Sequence, residues 1–258
     1  MDDVLGVAML SMHQDMARME RVAMNMTNAL TPAYKREMSV ARANSAIGGL
    51  SGPGVQSFGS LWDAGMAASL NGSGSTDRTQ LETRSDMRAG TLKSTGQPLD
   101  LALSGPGFFE VQTEQGPAYT RQGNFRMDER GRIVTAQGYP LMGKGGDIFV
   151  ATAKPVIDAA GNIVEDKRPV GQLKVVQFDQ PDTLRRLGDG LFAEGAGMRQ
   201  LPDAEVQVRQ GFLENANVSS VHEMVEMMQT MRHFESMQKV TQAYDDMVGN
   251  AIRKLGDM

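Results

Sequence analysis

The chain has 258 residues, enough for two modest domains or for one domain with long extensions. Its net charge is −5, from 26 basic and 31 acidic side chains, and no run of Lys or Arg exceeds two residues, which argues against a nucleic-acid-binding surface. The absence of cysteine excludes disulfides, thiol catalysis and cysteine-ligated metal sites. The apolar run Val4–Leu10 is far shorter than the roughly 20 residues that span a bilayer, and it follows two aspartates. The sequence therefore predicts neither a membrane helix nor a cleavable signal peptide.

Two residue types divide the chain into three parts. Of the 20 methionines, 14 lie in residues 1–30 and 221–258. Of the 29 glycines, 26 lie in residues 31–220, and all ten prolines lie between 32 and 202. Glycine and proline punctuate turns, whereas their scarcity allows long regular elements. The distribution predicts helical ends around a turn-rich middle.

The N-terminal segment has the periodicity of a helix. Its apolar stripe repeats every 3.7 residues on average, through Val4, Ala8, Met12, Met16, Met19, Ala23, Met26 and Leu30. Asp2 and Asp3 suit the positive end of a helix dipole. Pro32 disfavours a helical conformation at Thr31, so we expect this helix to end near Leu30.

The C-terminal segment has a second stripe, with a step of 3.4 residues that is close to the 3.5 of a coiled coil. It runs through Val221, Met224, Met228, Met231, Phe234, Met237, Val240, Tyr244, Met247, Ala251 and Leu255. Serines at 219 and 220 offer N-caps before it. One such stripe buries too little apolar surface to order a helix of this length, so it needs neighbours. Packing into an ordinary intramolecular core is the alternative, while methionine's flexible side chain favours assembly with other subunits.

The middle of the chain alternates in the manner of β-strands. Short runs such as Phe109–Gln112, Ile133–Thr135 and Leu173–Phe178 are separated by glycine-rich turns, which predicts a small antiparallel sandwich or barrel. The pattern Asp-x-x-Gly-x-Ile-Val occurs at both Asp128 and Asp158 and predicts two equivalent hairpin turns.

The predicted fold class is α+β, with long N- and C-terminal helices that form a coiled-coil-like stalk and a central antiparallel β domain. The predicted domains are a helical assembly domain over 1–35 and 215–258, a poorly structured loop or arm over 36–90, and a β-rich domain over 91–214. The residues expected to carry assembly are Met12, Met16, Met19, Met26, Val221, Met224, Met228, Met231, Phe234 and Met247.

Motifs for chemistry are missing. None of the Gly-x-Gly sequences has the third glycine of a dinucleotide loop, and there is no Gly-x-Ser-x-Gly elbow. His222 and Glu226 are four residues apart, but His233 lies about three helical turns from His222, too far along the helix to share a metal, so a solvated helix is favoured over a metal site. The sequence predicts no catalytic, cofactor-binding or metal-binding residue, and no enzymatic activity.

Three ordered blocks resemble the bacterial flagellar axial family of rod and hook proteins. The first is Ala23–Lys35, with Asn25, Asn28, Thr31, Pro32, Tyr34 and Lys35 at motif positions and Ala33 in place of the usual glycine. The second runs from Pro98 to Phe125 and includes Leu99, Asp100, Gly107, Phe108 and Phe109. The third, from Gly211, includes Asn217 and Val218 and continues to Glu235.

This resemblance implies a structural subunit of the flagellar basal-body rod. Such a subunit leaves the cytoplasm through the flagellar type III export apparatus without a cleavable signal peptide. It polymerises in the periplasm, through its terminal helices, into a helical tube that transmits torque from motor to hook. Its implied partners are copies of itself, other rod proteins and the export apparatus, without nucleic acid or small-molecule substrate. The chain is most similar to the proximal rod type. A distal rod protein, a hook-type subunit and a non-flagellar extracellular binding module are the alternatives.

Overall fold

The computed structural model describes residues 2–41, 81–152 and 154–256. Two long helices lie at the ends, α1 (Asp2–Thr27) and α2 (Ser220–Gly256). Residues 42–80, most of the predicted loop or arm, lie outside the described residues. Neither helix, over its described residues, is long and apolar enough to cross a membrane.

Nineteen strands of two to six residues occupy the described part of the middle, and a short 3₁₀ helix, Pro181–Thr183, interrupts them. The first ten are β1 (Glu37–Ala41), β2 (Leu81–Ser85), β3 (Leu92–Ser94), β4 (Leu101–Leu103), β5 (Phe108–Thr113), β6 (Gly116–Thr120), β7 (Arg126–Met127), β8 (Ile133–Val134), β9 (Met142–Gly143) and β10 (Gly146–Asp147). The others are β11 (Val156–Ile157), β12 (Asn162–Glu165), β13 (Arg168–Gln172), β14 (Val175–Gln177), β15 (Arg186–Gly188), β16 (Leu191–Phe192), β17 (Arg199–Gln200), β18 (Val208–Gln210) and β19 (Phe212–Glu214).

The chain divides into two compact units. The first consists of residues 1–38 and 84–258 and holds both helices and most strands. The second consists of residues 39–83, of which only the inner ends of β1 and β2 are described.

The largest sheet of the first unit has six strands in the order β15-β16-β6-β5-β14-β17, with antiparallel neighbours. Both faces of β5 are covered. Phe109 packs into the main apolar core, while Phe108 packs into a second cluster with Tyr119 and Phe178 on the opposite face. This explains why Phe108–Val111 is buried without alternation.

The two Asp-x-x-Gly turns are confirmed. Asp128 Oδ1 accepts hydrogen bonds from the backbone N–H groups of Arg130 and Arg132, and Asp158 Oδ1 accepts one from Asn162 N–H. The glycines that follow, Gly131 and Gly161, have φ values of 79° and 80°. The two turns therefore share one capping geometry.

The two helices are antiparallel, since successive contacts run in opposite directions along them: Asn25 with Glu223, Arg18 with Glu226, and Asp15 with His233. The buried side chains of the two helices include the polar Asp15, Asn25, Glu223 and Thr230 as well as the apolar Ala8 and Val22. A coiled-coil seam would instead bury apolar residues at the polar positions.

The predicted fold class is therefore wrong in its coiled-coil-like stalk. Val221, Met224, Met228 and Met231, which were expected in the seam, are exposed. The buried face of α2 is the one that carries Glu223 and Thr230. The periodicity of apolar residues identifies a stripe on a helix but does not determine which neighbour covers it. Here the polar residues Glu223 and Thr230, each one position before a stripe methionine, are the ones that are buried.

Candidate assembly surface

A polar junction connects the end of α1, the following turn and the start of α2. We define it as Asn25, Tyr34, Arg36, Asn217 and Glu223. The Asn25 side-chain amide donates to Glu37 O at 3.0 Å and to Glu223 Oε2 at 3.2 Å. Its Oδ1 accepts from Glu37 N–H at 2.9 Å and from the Tyr34 hydroxyl at 3.2 Å. Because all its hydrogen-bonding groups are used, Asn25 fixes the direction in which the chain leaves α1.

Charge pairs extend the junction along the helices. Arg36 donates from Nε to Glu223 Oε1 at 2.5 Å and from Nη2 to Glu226 Oε2 at 2.8 Å. Arg18 donates to the other oxygen of Glu226 at 3.0 Å. Glu223 is fully buried, so these hydrogen bonds replace its lost hydration.

Asn217 ties the start of α2 to the same region. Its Oδ1 accepts from Arg36 N–H at 2.7 Å, and its Nδ2 donates to Asp86 O at 2.8 Å and Arg88 O at 3.0 Å. Val218 beside it is half-buried. An apolar side chain could not satisfy these three backbone groups.

A buried ion cluster connects the turn after α1 to the β region. We define it as Lys35, Glu214 and Arg121. Lys35 Nζ lies 2.6 Å from Glu214 Oε1, and Arg121 Nε lies 3.1 Å from Glu214 Oε2. The side chains of Lys35 and Glu214 are each 1% exposed. Burial lowers the pKa of Lys35, and the attraction of Glu214 opposes that effect only in part.

Backbone groups complete the cluster. Lys35 also donates to Arg88 O at 2.9 Å, and Arg121 Nη1 donates to Gly105 O at 2.8 Å and Gly107 O at 2.7 Å. Gly107 has a φ of 131°, and a Cβ there would lie 2.8 Å from side-chain carbons of Val175 and Leu201. Glycine is therefore required where this loop meets the core.

The remaining motif positions are structural within the described residues. Leu99 packs against the main core, and Asp100 Oδ2 accepts from the Thr95 hydroxyl at 2.6 Å. The turn after α1 is closed by the Asn28 amide, which donates to Met24 O, and by the Thr31 hydroxyl, which donates to Asn28 Oδ1. Half-buried Pro32 follows in the same turn. These side chains hold the local backbone in shape.

Both helices carry many exposed apolar side chains. On α1 they comprise Val7, Met9, Leu10, Met16 and Met24, and on α2 they comprise Val221, Met224, Val225, Met228, Met231, Val240, Met247, Val248 and Ile252. We call these residues the outer apolar face. Monomeric soluble proteins rarely expose so large an apolar surface unless it binds a partner.

The structure separates the ten predicted assembly residues into two groups. Six lie on the outer apolar face: Met16, Val221, Met224, Met228, Met231 and Met247. The other four, Met12, Met19, Met26 and Phe234, are half-buried. Met12, Met16 and Phe234 line a shared groove between α1 and α2. The role of all ten in assembly remains a prediction.

Sequence reasoning missed the polar residues that position this surface. Arg36, Glu223, Glu226, Glu214 and Arg121 lie in no motif that predicts a pair. Lys35 and Glu214 are 179 residues apart. The sequence did contain one signal for the ion cluster, because Lys35 of the first block is a long cation directly after a tight turn. Its partner Glu214 could be identified only from the folded structure.

Comparison with known proteins identifies the family. Residues 209–254 match the model of the flagellar basal body rod FlgEFG protein C-terminal region, and residues 102–167 match the flagellar hook protein FlgE/F/G D1 domain. Flagellar basal-body rod protein FlgF of Escherichia coli K12 is 31% identical, with 97% of each chain covered. FlgF of Caulobacter vibrioides is 28% identical over 99% of each chain. FlgG of Borreliella burgdorferi is 33% identical over 63% of this chain and 66% of the relative. The chain therefore belongs to the flagellar basal-body rod proteins, structural rather than enzymatic components of the flagellum.

Proposed function

We propose that the outer apolar face of α1 and α2 is the surface through which this rod protein assembles with copies of itself and with related rod proteins. The exposure of this face carries the proposal. Met224, Met228 and Met231, spaced by four and three residues, lie on one side of α2 and are each about half exposed. Covering the exposed half of three such side chains contributes roughly 2–4 kcal/mol per subunit contact.

A helical polymer needs contacts between different surfaces of successive subunits, because a self-complementary patch closes into a dimer. Two helices with unlike outer faces offer such a pair of surfaces. At about 1.5 Å per residue, α2 is roughly 55 Å long, so one subunit can contact several neighbours. A tube built from these helices, with the β region attached to them, is the arrangement that the resemblance implies.

Torque transmission requires that load on the helices reaches the β region without local unfolding. The polar junction connects α1 to α2, and the ion cluster connects the turn after α1 to β19 and to the end of β6. The ion cluster is buried, the polar junction is buried at Asn25 and Glu223, and both are hydrogen-bonded, so they open less readily than exposed ion pairs. We assign them the role of a stiff connection between the two parts.

Export through the flagellar type III apparatus and a proximal position in the rod complete the proposal, and both rest on the resemblance. If the position is proximal, the chain crosslinks in isolated basal bodies to subunits near the motor rather than to hook subunits.

Met228→Asp and Met231→Asp test the assembly surface. A carboxylate buried at the subunit contact costs several kcal/mol, so each variant should fail to enter the rod while its β region stays folded. Gln229→Asp is the matched control, because Gln229 is exposed but lies about 100° around α2 from Met228, off the stripe that Met224, Met228 and Met231 form. Immunoblots of isolated basal bodies measure incorporation, and circular dichroism measures folding. Normal incorporation of both methionine variants would show that this face is not the contact.

A further inference from the structure

We propose that the methionines of the outer apolar face are an oxidation site, and that their conversion to sulfoxides by peroxide-class oxidants blocks assembly of the unassembled subunit. This inference rests on the proposed function of that face. The seven methionines concerned are 43–63% exposed, and they are Met9, Met16, Met24, Met224, Met228, Met231 and Met247.

Methionine is the residue of this chain that two-electron oxidants such as peroxides attack most readily, because cysteine is absent. The chain has no cysteine, so no thiol of its own competes for peroxide. Methionine is its only sulfur-containing residue. Among the described residues, only two further methionines are among the exposed large apolar side chains, Met127 (37%) and Met198 (39%), and both lie in the β region.

The polar interface between the helices makes this surface reactive in the folded subunit. Pairing of α1 with α2 uses Asp15, Arg18, Asn25, Glu223 and Glu226, and none of the seven methionines belongs to these contacts. A well-folded, helix-paired subunit therefore still leaves all seven methionines partly exposed, with Met9 and Met16 at the groove between the helices. Packing against a neighbour would cover them, so the modification is confined to subunits that have not yet assembled.

The chemistry is a balanced oxygen transfer. The thioether sulfur attacks one peroxide oxygen, the O–O bond breaks, and the products are a sulfoxide and water. The sulfur is oxidised by two electrons and the peroxide is reduced by two. A flexible apolar side chain becomes polar and chiral, which is incompatible with a dry helix contact. Methionine sulfoxide reductases A and B reverse the step with a dithiol that becomes a disulfide, each acting on one sulfoxide epimer.

The experiment treats the purified full chain with hydrogen peroxide and maps sulfoxides by peptide mass spectrometry. Assembly is measured by sedimentation of polymer and by incorporation into basal bodies of cells exposed to the same oxidant. We expect sulfoxides at the seven positions, a fall in assembly of about tenfold or more, and recovery to within about twofold after treatment with both reductases. Assembled polymer should resist oxidation at the same positions.

Leucine substitutions separate this site from general damage. Changing Met224, Met228 and Met231 to leucine removes the reactive sulfur but keeps an apolar side chain of similar volume. The fraction of assembly that survives peroxide should rise in this variant, whatever its starting level. Met127→Leu with Met198→Leu is the matched control, and it should leave the peroxide sensitivity of the wild type unchanged.

Each remaining outcome has a defined meaning. Complete oxidation of the seven methionines with normal assembly overturns the inference, as does protection by the control pair of substitutions. If Met228→Asp still blocks assembly in that case, the proposed function stands and only the oxidation site fails. If neither oxidation nor Met228→Asp has an effect, both fail. If the triple leucine variant does not assemble, the reductase experiment on the oxidised wild type tests the inference instead. Recovery of assembly supports the oxidation site, and no recovery overturns it.

Discussion

Removal of the Glu214 carboxylate should destabilise the protein far more than removal of the Lys35 ammonium that it binds. Glu214 is the only anion of the ion cluster and contacts both Lys35 and Arg121. It also accepts a hydrogen bond from Gly90 N–H at 2.8 Å. In Glu214→Gln, two buried cations face a neutral amide, and removing one partner of a buried pair costs about 3–5 kcal/mol.

Lys35→Met should cost much less. The pKa of Lys35 is lowered by burial despite the attraction of Glu214, so the site as a whole disfavours the ammonium relative to water. Replacing Lys35 with an apolar chain of similar length removes that penalty, while Glu214 keeps Arg121 and the Gly90 amide. The lost charged hydrogen bond is offset by the relieved desolvation, and we expect a cost of about 1 kcal/mol or less.

Urea denaturation of the two variants, followed by circular dichroism, measures the difference. Lys144→Met serves as the control, because Lys144 and its partner Asp203 are both exposed, so its loss should leave the urea midpoint nearly unchanged. A Lys35→Met variant as unstable as Glu214→Gln would refute the reasoning, since it would mean that the lysine charge, and not the carboxylate between two cations, holds the cluster together.

The other predictions concern single buried sites. Burial is the main cause that raises the pKa of the Tyr119 hydroxyl to about 12. The stability that the neutral hydroxyl contributes should therefore be complete below pH 10 and lost as the pH rises toward 12. In urea denaturation across this range, the free energy of unfolding should fall less steeply for Tyr119→Phe than for the wild type. Gly131→Ala should cost at least about 1–2 kcal/mol and more than Gly161→Ala. A Cβ at Gly131 would lie 2.7 Å from Val150 O, whereas at Gly161 the nearest atom is Leu173 Cβ at 3.2 Å. Equal melting temperatures of the two variants would contradict this. Ala33→Gly should stabilise the protein by up to about 1 kcal/mol, because Ala33 has a φ of 54°; a lower melting temperature would contradict this strain argument.

Local rules predicted the local features well. The end of the first helix was expected near Leu30 and lies at Thr27, where the Thr27 and Asn28 side chains bond back to carbonyls of the last turn. The serines at 219 and 220 mark the start of the second helix, which begins at Ser220. The turns at Asp128 and Asp158 follow from their repeated pattern. Each of these features depends on contacts within about four residues, which the sequence displays directly.

Contacts between distant segments were not predictable in the same way. Periodicity placed Met228 and Met231 on an apolar stripe that needs a neighbour, but it gave no sign that Glu223 and Thr230 form the buried face of α2. Buried glutamate is rare, and its burial here depends on Arg36 and Asn25, which the fold brings from the other end of the chain. The ion cluster shows the same limit, because no local rule joins Lys35 to Glu214.

The division between polar and apolar faces has a physical consequence for assembly. A hydrogen-bonded polar contact tolerates only the partner that satisfies it, so Asn25 and Glu223 fix one register between α1 and α2. An apolar seam would allow sliding and would let the helices of one subunit pair with those of another in several ways. Methionine on the outer faces has the opposite property, since its flexible chain adapts to neighbours that differ in shape. Specific pairing within the subunit and adaptable packing outside it are what a rod built from several related proteins requires.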